Sequence, residues 1–388
     1  MPRRSPTIRP LRFLLAVVAA VAAGVFGSRA AGRPSPAAEL AAGERIAADL
    51  IVHEWGTFTT IADRDGAPVP WDPFDTVSDL PSFVRVGLPK TSRGAVGTVR
   101  METPVLYFYA NAPLLVSASV AFPKGLITEW YPDAARRSSG ITWNRVEIWP
   151  GLQAALPTEP RPSHYYPARD TAAALVKVGG RQIERFLFYR GVGTFELPLT
   201  ARVAGEQVVV FNSTSEDLGA AILFERAAGQ LAYGTARLAG DRATLPRPRT
   251  PTSLAQLENT LAGLLVANGL YEKEARAMIA SWRDSWFEEG LRLIYCVPRA
   301  FTDAVLPLAI SPRPAEIERV LVGRVELLSP ERAAQIEQEI HARDEHAPAA
   351  TTGGAISGLG RFARPFLQQV AAATKSPTVK RRIEALIR

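Results

Sequence analysis

The feature that most constrains this chain is a series of short runs, rich in β-branched and aromatic residues, between residues 50 and 240. LIVHEWGTFTTI at 50–61 comes first. VRMETPVLYFYA, PLLVSASVAF, LITEWYP, ITWNRVEIWP, ERFLFYR, EQVVVFNS, AAILFERA and QLAYGTARL follow it. Such side chains pack well on a pleated surface and poorly against a preceding helical turn. Gly, Pro, Asn and Asp separate the runs, and no strong helical period replaces them. Short strands at this spacing predict an antiparallel β-sandwich over residues 49–245, with a barrel as the alternative.

The pattern changes after DRATLPRPRTP at 241–251, which reads as a linker. Thr252 or Ser253 can cap a helix to about Asn268, because Leu254, Leu257, Leu261 and Leu264 recur at spacings of three and four. A second helix is predicted over 271–290, with Ala275, Met278, Ile279, Trp282 and Trp286 on one face. LRLIYCVP, VLPLAIS and RVLVGRVELL then read as strands. Ser329-Pro330 opens a third helix to about Arg343, with proline at the first helical position. Residues 252–345 thus read as an α/β segment. After a break at 344–355, two helices are expected at 356–373 and 377–387. This last segment, 356–388, is similar to one HEAT-type helical hairpin. A lone hairpin cannot bury its apolar face, so it must dock on the body, pair with another copy or receive a partner. The fold class is α+β and multidomain.

Residues 1–12 hold Arg3, Arg4, Arg9 and Arg12 and no acid, and FLLAVVAAVAAGVF follows at 13–26. Small residues then flank Arg29. This is the order of a secretory signal. Fourteen apolar residues span about 21 Å as a helix, short of a bilayer core of about 30 Å. Residues 1–30 are therefore read as a signal peptide, with an anchor at 13–26 as the alternative, and residues 31–48 as a linker. The expected location is periplasmic or secreted, or attached to the inner membrane.

The formal charge of +7 comes from the two ends. Residues 1–30 carry +5 and residues 361–388 carry +6, which leaves −4 for the span between them. A mildly acidic body argues against nucleic-acid binding. The only contact expected with a membrane is through the N-terminal segment. The single cysteine, Cys296, excludes an intrachain disulfide, and its apolar setting predicts a buried small side chain.

Several residues could carry chemistry. His53 and Glu54 are neighbours in a predicted strand, so they point to opposite faces and cannot form a local ligand pair. A divalent metal would need His53, His164 and a carboxylate from elsewhere. Glu102 and Glu129 sit inside apolar runs, where an unpaired carboxylate costs several kcal/mol. Arg100, Arg185 and Arg190 are their candidate ion-pair partners. With Glu54, these two form the candidate catalytic set for carboxylate-based hydrolysis. Trp55, Trp71, Trp130 and Tyr131, with Arg190, are the candidate binding residues, since aromatic faces stack on sugar rings as well as filling cores. RGVGTF at 190–195 has too few glycines for a dinucleotide loop and reads as a turn needing positive φ.

VHEWGTFTT at 52–60, METPVLYFYA at 101–110, GLITEWYP at 125–132, RFLFYRGVG at 185–193 and SWFEEGLRLIY at 285–295 together resemble an uncharacterised family of exported bacterial proteins. The resemblance spans most of residues 50–330. It implies export and one long homologous region, and supplies no catalytic residue. The expected role is an exported, envelope-associated binding or assembly module for a protein or carbohydrate ligand. A periplasmic hydrolase, metal-dependent or carboxylate-based, is the alternative.

Overall fold

The run that opens the series becomes the central strand of a nine-stranded sheet. Residues 46–72, 79–87, 96–137, 139–214, 216–342 and 354–387 are described by this computed structural model. The signal peptide expected at 1–30 and nearly all of the linker expected at 31–48 lie outside them. Across the sheet the order is β14 (Gln230–Arg237), β13 (Ala220–Ala227), β16 (Gly290–Val297), β18 (Arg313–Leu327), β1 (Ile46–Ile61), β3 (Val99–Tyr109), β10 (Leu187–Gly193), β5 (Gly125–Tyr131) and β2 (Arg85–Val86). β1 runs parallel to β18 and antiparallel to β3. A strand flanked on both sides and covered on both faces must be apolar or paired at every position. That is why 50–61 shows no clean alternation: from Val52 to Ile61 every residue of β1 is buried.

A six-stranded sheet holds β17 (Leu308–Ser311), β4 (Leu114–Ala121), β7 (Gly140–Trp149), β8 (Leu175–Val178) and β9 (Gln182–Glu184), with β6 (Ala135–Arg137) paired to β7. A three-stranded sheet holds β11 (Leu199–Ala204), β12 (Gln207–Asn212) and β15 (Arg242–Pro246). Both share one apolar core with the nine-stranded sheet, in which Phe58, Phe108, Tyr189 and Tyr295 meet Val120, Trp143, Ile148 and Val210. The other face of the large sheet lies under α1 (Leu254–Ala267), α2 (Glu272–Trp286) and a 3-10 turn at Tyr166–Arg169. α3 (Arg299–Val305) follows β16. A third core joins α4 (Pro330–Ala342), a 3-10 turn at Ser357–Phe362, α5 (Ala363–Ala373) and α6 (Pro377–Leu386) to Ile61 and Trp71.

The chain is thus α+β, β-rich, and ends in a helix pair. That pair buries Phe366, Leu367, Val370 and Ile383 against the body, which answers what covers its apolar face. The expected division near residue 250 is corrected. β16 and β18 lie between β13 and β1 in one sheet, so residues 252–345 supply its middle rather than a separate domain. Part of the expected linker is β15, paired to β12. RGVGTF is no positive-φ turn either. Its first half ends β10, and the glycines serve close approach: a Cβ on Gly191 would sit 2.6 Å from the Leu126 carbonyl oxygen, and one on Gly193 2.8 Å from the Phe122 ring. Gly323 in β18 has the same role opposite Tyr295, whose ring a Cβ would meet at 2.2 Å. Among the described residues, no helix is long and apolar enough to cross a membrane.

Candidate functional site

Strand alternation places Thr57 and Thr59 of β1 on the helix-covered face, and the neighbouring strands bring charged residues to the same level. Glu102 pairs with Thr57, Arg100 and Arg324 with Thr59, Glu326 with Ile61, Arg292 with Glu326, and Glu129 with Arg190. The result is a belt of charge across six strands, buried beneath α2. Burying these groups singly would be prohibitive, and each is answered by an opposite charge. Glu326 accepts from Arg292 Nε at 2.8 Å and Arg324 Nε at 2.5 Å. Arg361, from the turn before α5, binds Glu102 with both terminal nitrogens, and Thr59 Oγ1 donates to the same carboxylate at 2.6 Å. Burial pushes the Glu102 carboxyl up, but Arg361 and then Arg324 outweigh it and hold it at about 2. Arg100 faces Glu129 at 3.6 Å, and Thr128 also donates to Glu129.

At the β10 end, Arg190 grips Asp79 through two bonds of 2.7 and 2.9 Å. His164 Nδ1 lies 2.8 Å from the same carboxylate and Nε2 lies 2.6 Å from Asp284 of α2. Both ring nitrogens thus donate to carboxylates, which makes His164 an imidazolium. Burial opposes that charge, and Asp79 followed by Asp284 overcomes it, so its pKa is raised. Trp282 underlies both cations, 5.5 Å from the Arg190 guanidinium carbon and 5.3 Å from the His164 ring. Thr103 stands beside them at φ 47°, an uncommon backbone for a β-branched residue, where the pairing of β3 with its neighbours slips.

The candidate residues therefore separate. Glu102 and Glu129 share the belt, but Glu54 lies on the opposite face, where Arg319 Nε at 2.6 Å and Tyr189 Oη at 2.5 Å hold it. No catalytic trio is assembled, because each carboxylate is already consumed by a partner. The proposed metal set fails on position. His53 binds Glu274 and His164 binds Asp284, both on α2. Ten residues of helix separate those anchors by about 15 Å. Among the described residues, no group of three or more His, Cys, Asp or Glu could hold a metal ion. The aromatic candidates are core: Trp55, Trp71, Trp130 and Tyr131 are all buried. Trp71 packs on Phe362, and Tyr131 on Phe83 and Tyr165. They form no exposed strip for a sugar. Cys296 is buried, and burial pushes its thiol up to about 12.

Sequence reasoning missed the other end of the same sheet face. Seven glutamates are buried among the described residues. Six face an arginine: Glu54, Glu102, Glu129, Glu184, Glu225 and Glu326. The seventh, Glu274 near the start of α2, is held by His53 Nδ1 at 2.7 Å, Tyr109 Oη at 2.7 Å and the backbone N–H of Tyr271 at 2.8 Å. His53 Nε2 is buried with no hydrogen-bond partner. Tyr109 also lines an open cleft of about 610 Å³ formed with Asp49, Ile51, Asn111, Thr171 and Arg185. Burial and then Glu274 raise the Tyr109 pKa, so it remains a phenol whose proton points at Glu274. Arg185 is no partner of Glu102 or Glu129. Its Nη1 donates to the Ala173 carbonyl at 2.6 Å, its Nε is buried without a partner, and no carboxylate among the described residues pairs with it. The only sequence signal for this site was Glu274 three residues after Tyr271, the spacing of a capping box.

No family model matches the chain, and no curated protein matches it. Among solved structures it is similar to the Fcho1 mu homology domain of Danio rerio with bound Eps15 peptide, at 7% identity over 74% of this chain and 100% of that chain, with a TM-score of 0.29. The yeast delta-COP-I mu-homology domain with a Dsl1 WxWxV peptide gives 8% identity, 72% and 98% coverage and a TM-score of 0.31, and the same domain alone gives 0.30. Likeness at this level assigns neither a fold family nor a ligand.

Proposed function

We propose that this chain is an exported, envelope-associated binding module, and that its recognition surface is the cleft walled by Tyr109 and Arg185. The observation that carries this is the state of Arg185. The belt arginines are each spent on a carboxylate, whereas Arg185 reaches an open cleft with part of its guanidinium unanswered. A half-buried guanidinium without a counter-charge favours an anionic ligand group. Export is supported by the arginine-rich start and the apolar run at 13–26. The hydrolase alternative has no assembled set of residues behind it.

Succinate is a suitable first probe, with hydrogen exchange as the map. Protection is expected in the cleft segments 150–153 and 171–175, and Arg185→Gln should abolish it. Equal protection in Arg185→Gln, or protection elsewhere only, would sink the reading. N-terminal sequencing of the chain from its native host tests export: a start near residue 31 supports it, and a start at Met1 rules out cleavage.

A further inference from the structure

The same cleft carries a second unspent charge. Asp49, near the start of β1, lines it with Arg185. Neither side chain has an ionic partner among the described residues, and no ion pair joins them. In the belt, by contrast, opposite charges are bonded to one another. Two unlike charges that share a concavity yet stay apart are complementary to a ligand that carries both. Tyr109 lines the same cleft and turns its hydroxyl to Glu274. Much of the remaining wall is made by residues 150–153 and 171–175, two segments at the ends of β7 and β8. The volume of about 610 Å³ falls within the roughly 300–1,000 Å³ typical of small-ligand sites.

We infer that the cleft takes a zwitterion of short-peptide size, with its carboxylate on Arg185 and its ammonium on Asp49. The inference rests on the cleft being the recognition surface, and it names the class of ligand. Asp49 is the part that anion binding alone does not require. Capture of free peptide termini by a charged side chain and backbone groups is a general recognition mode.

Calorimetric titration of the purified chain with trialanine, N-acetyl-trialanine and trialanine amide separates the outcomes. The zwitterion inference expects trialanine to bind, and each blocked form to bind at least tenfold more weakly. Asp49→Asn should remove the preference for the free amine and leave the preference for the free carboxylate. Arg185→Gln should do the reverse. Asp49 is exposed, so its substitution leaves folding intact. If N-acetyl-trialanine binds as tightly as trialanine, the zwitterion inference is overturned while the anion-binding reading stands. If none of the three binds, both are overturned.

Discussion

Replacing Arg361 by glutamine tests whether the belt is held by charge pairing or only by the packing around it. Glu102 is buried and receives Arg361 and Thr59. Its pKa falls from 4.5 to about 2 in the folded chain. At 1.36 kcal/mol per unit, a shift of that size corresponds to about 3 kcal/mol. Loss of one partner of a buried pair independently gives about 3–5 kcal/mol. The sign follows from the direction of the shift. The folded value lies below the unfolded one, so the stabilisation is complete above about pH 4.5 and is lost as pH falls through about 2. Arg361→Gln should therefore lower unfolding free energy at pH 7 by about 3 kcal/mol. Glu102→Gln should cost less, because the Arg361 side chain is 19% exposed and can turn to water, while Glu102 at 2% cannot. Urea unfolding gives the energies. Hydrogen exchange in α5 and α6 tells whether the loss is local, since Arg361 ties their leading turn to β3. A cost below about 1 kcal/mol for Arg361→Gln, or a larger cost for Glu102→Gln, would refute the pairing argument.

Three further outcomes follow from the same geometry. His164 has a raised pKa, so its stabilisation is present below about pH 6.5 and fades as pH rises through the folded value; His164→Gln should lessen the fall of urea midpoints above about pH 6.5. Gly323→Ala drives a methyl group into the Tyr295 ring and should cost about 1–3 kcal/mol, read by thermal unfolding, whereas Gly263→Ala, in the exposed interior of α1 with open space around it, should stabilise by about 1 kcal/mol. Ser253→Ala removes the bond from the Gln256 N–H to Ser253 Oγ, leaves the one from the Ser253 N–H to Gln256 Oε1, and should destabilise by about 1 kcal/mol, most visibly as faster exchange in the first turn of α1.

What could be read in advance was local. The cap at Ser253, the proline start of α4 and the strand character of residues 50–61 depend on neighbours within a few positions, and they appear where those neighbours put them. The opposition of His53 and Glu54 follows from strand geometry alone, and it too is present. Pairing over long separations has no periodic signature. Nothing in the local sequence announces that Arg361 would meet Glu102, 259 residues away, or that Tyr109 would donate to Glu274, 165 residues away. The expected boundary near residue 250 failed for that reason. Turn-rich sequence marks a change of direction, and it does not distinguish a linker from a short strand such as β15. The buried carboxylates were legible as costly and therefore paired. Their partners were not, apart from Arg100 for Glu129.

The placement of β1 also bears on how the chain can be made. Its neighbour β18 is supplied very late: Glu54 and Arg319, register partners across the parallel pair, are 265 residues apart. At about 5–20 residues per second of synthesis, the central strand waits roughly 15–50 s for the edge it needs. Contacts of such long range also slow the search for the native topology. Any product that stops short of residue 327 leaves an apolar strand with one open edge, a template for self-association. The polypeptide must therefore be shielded until nearly all of it has emerged, and it cannot be trimmed from its C-terminal third into a smaller working unit.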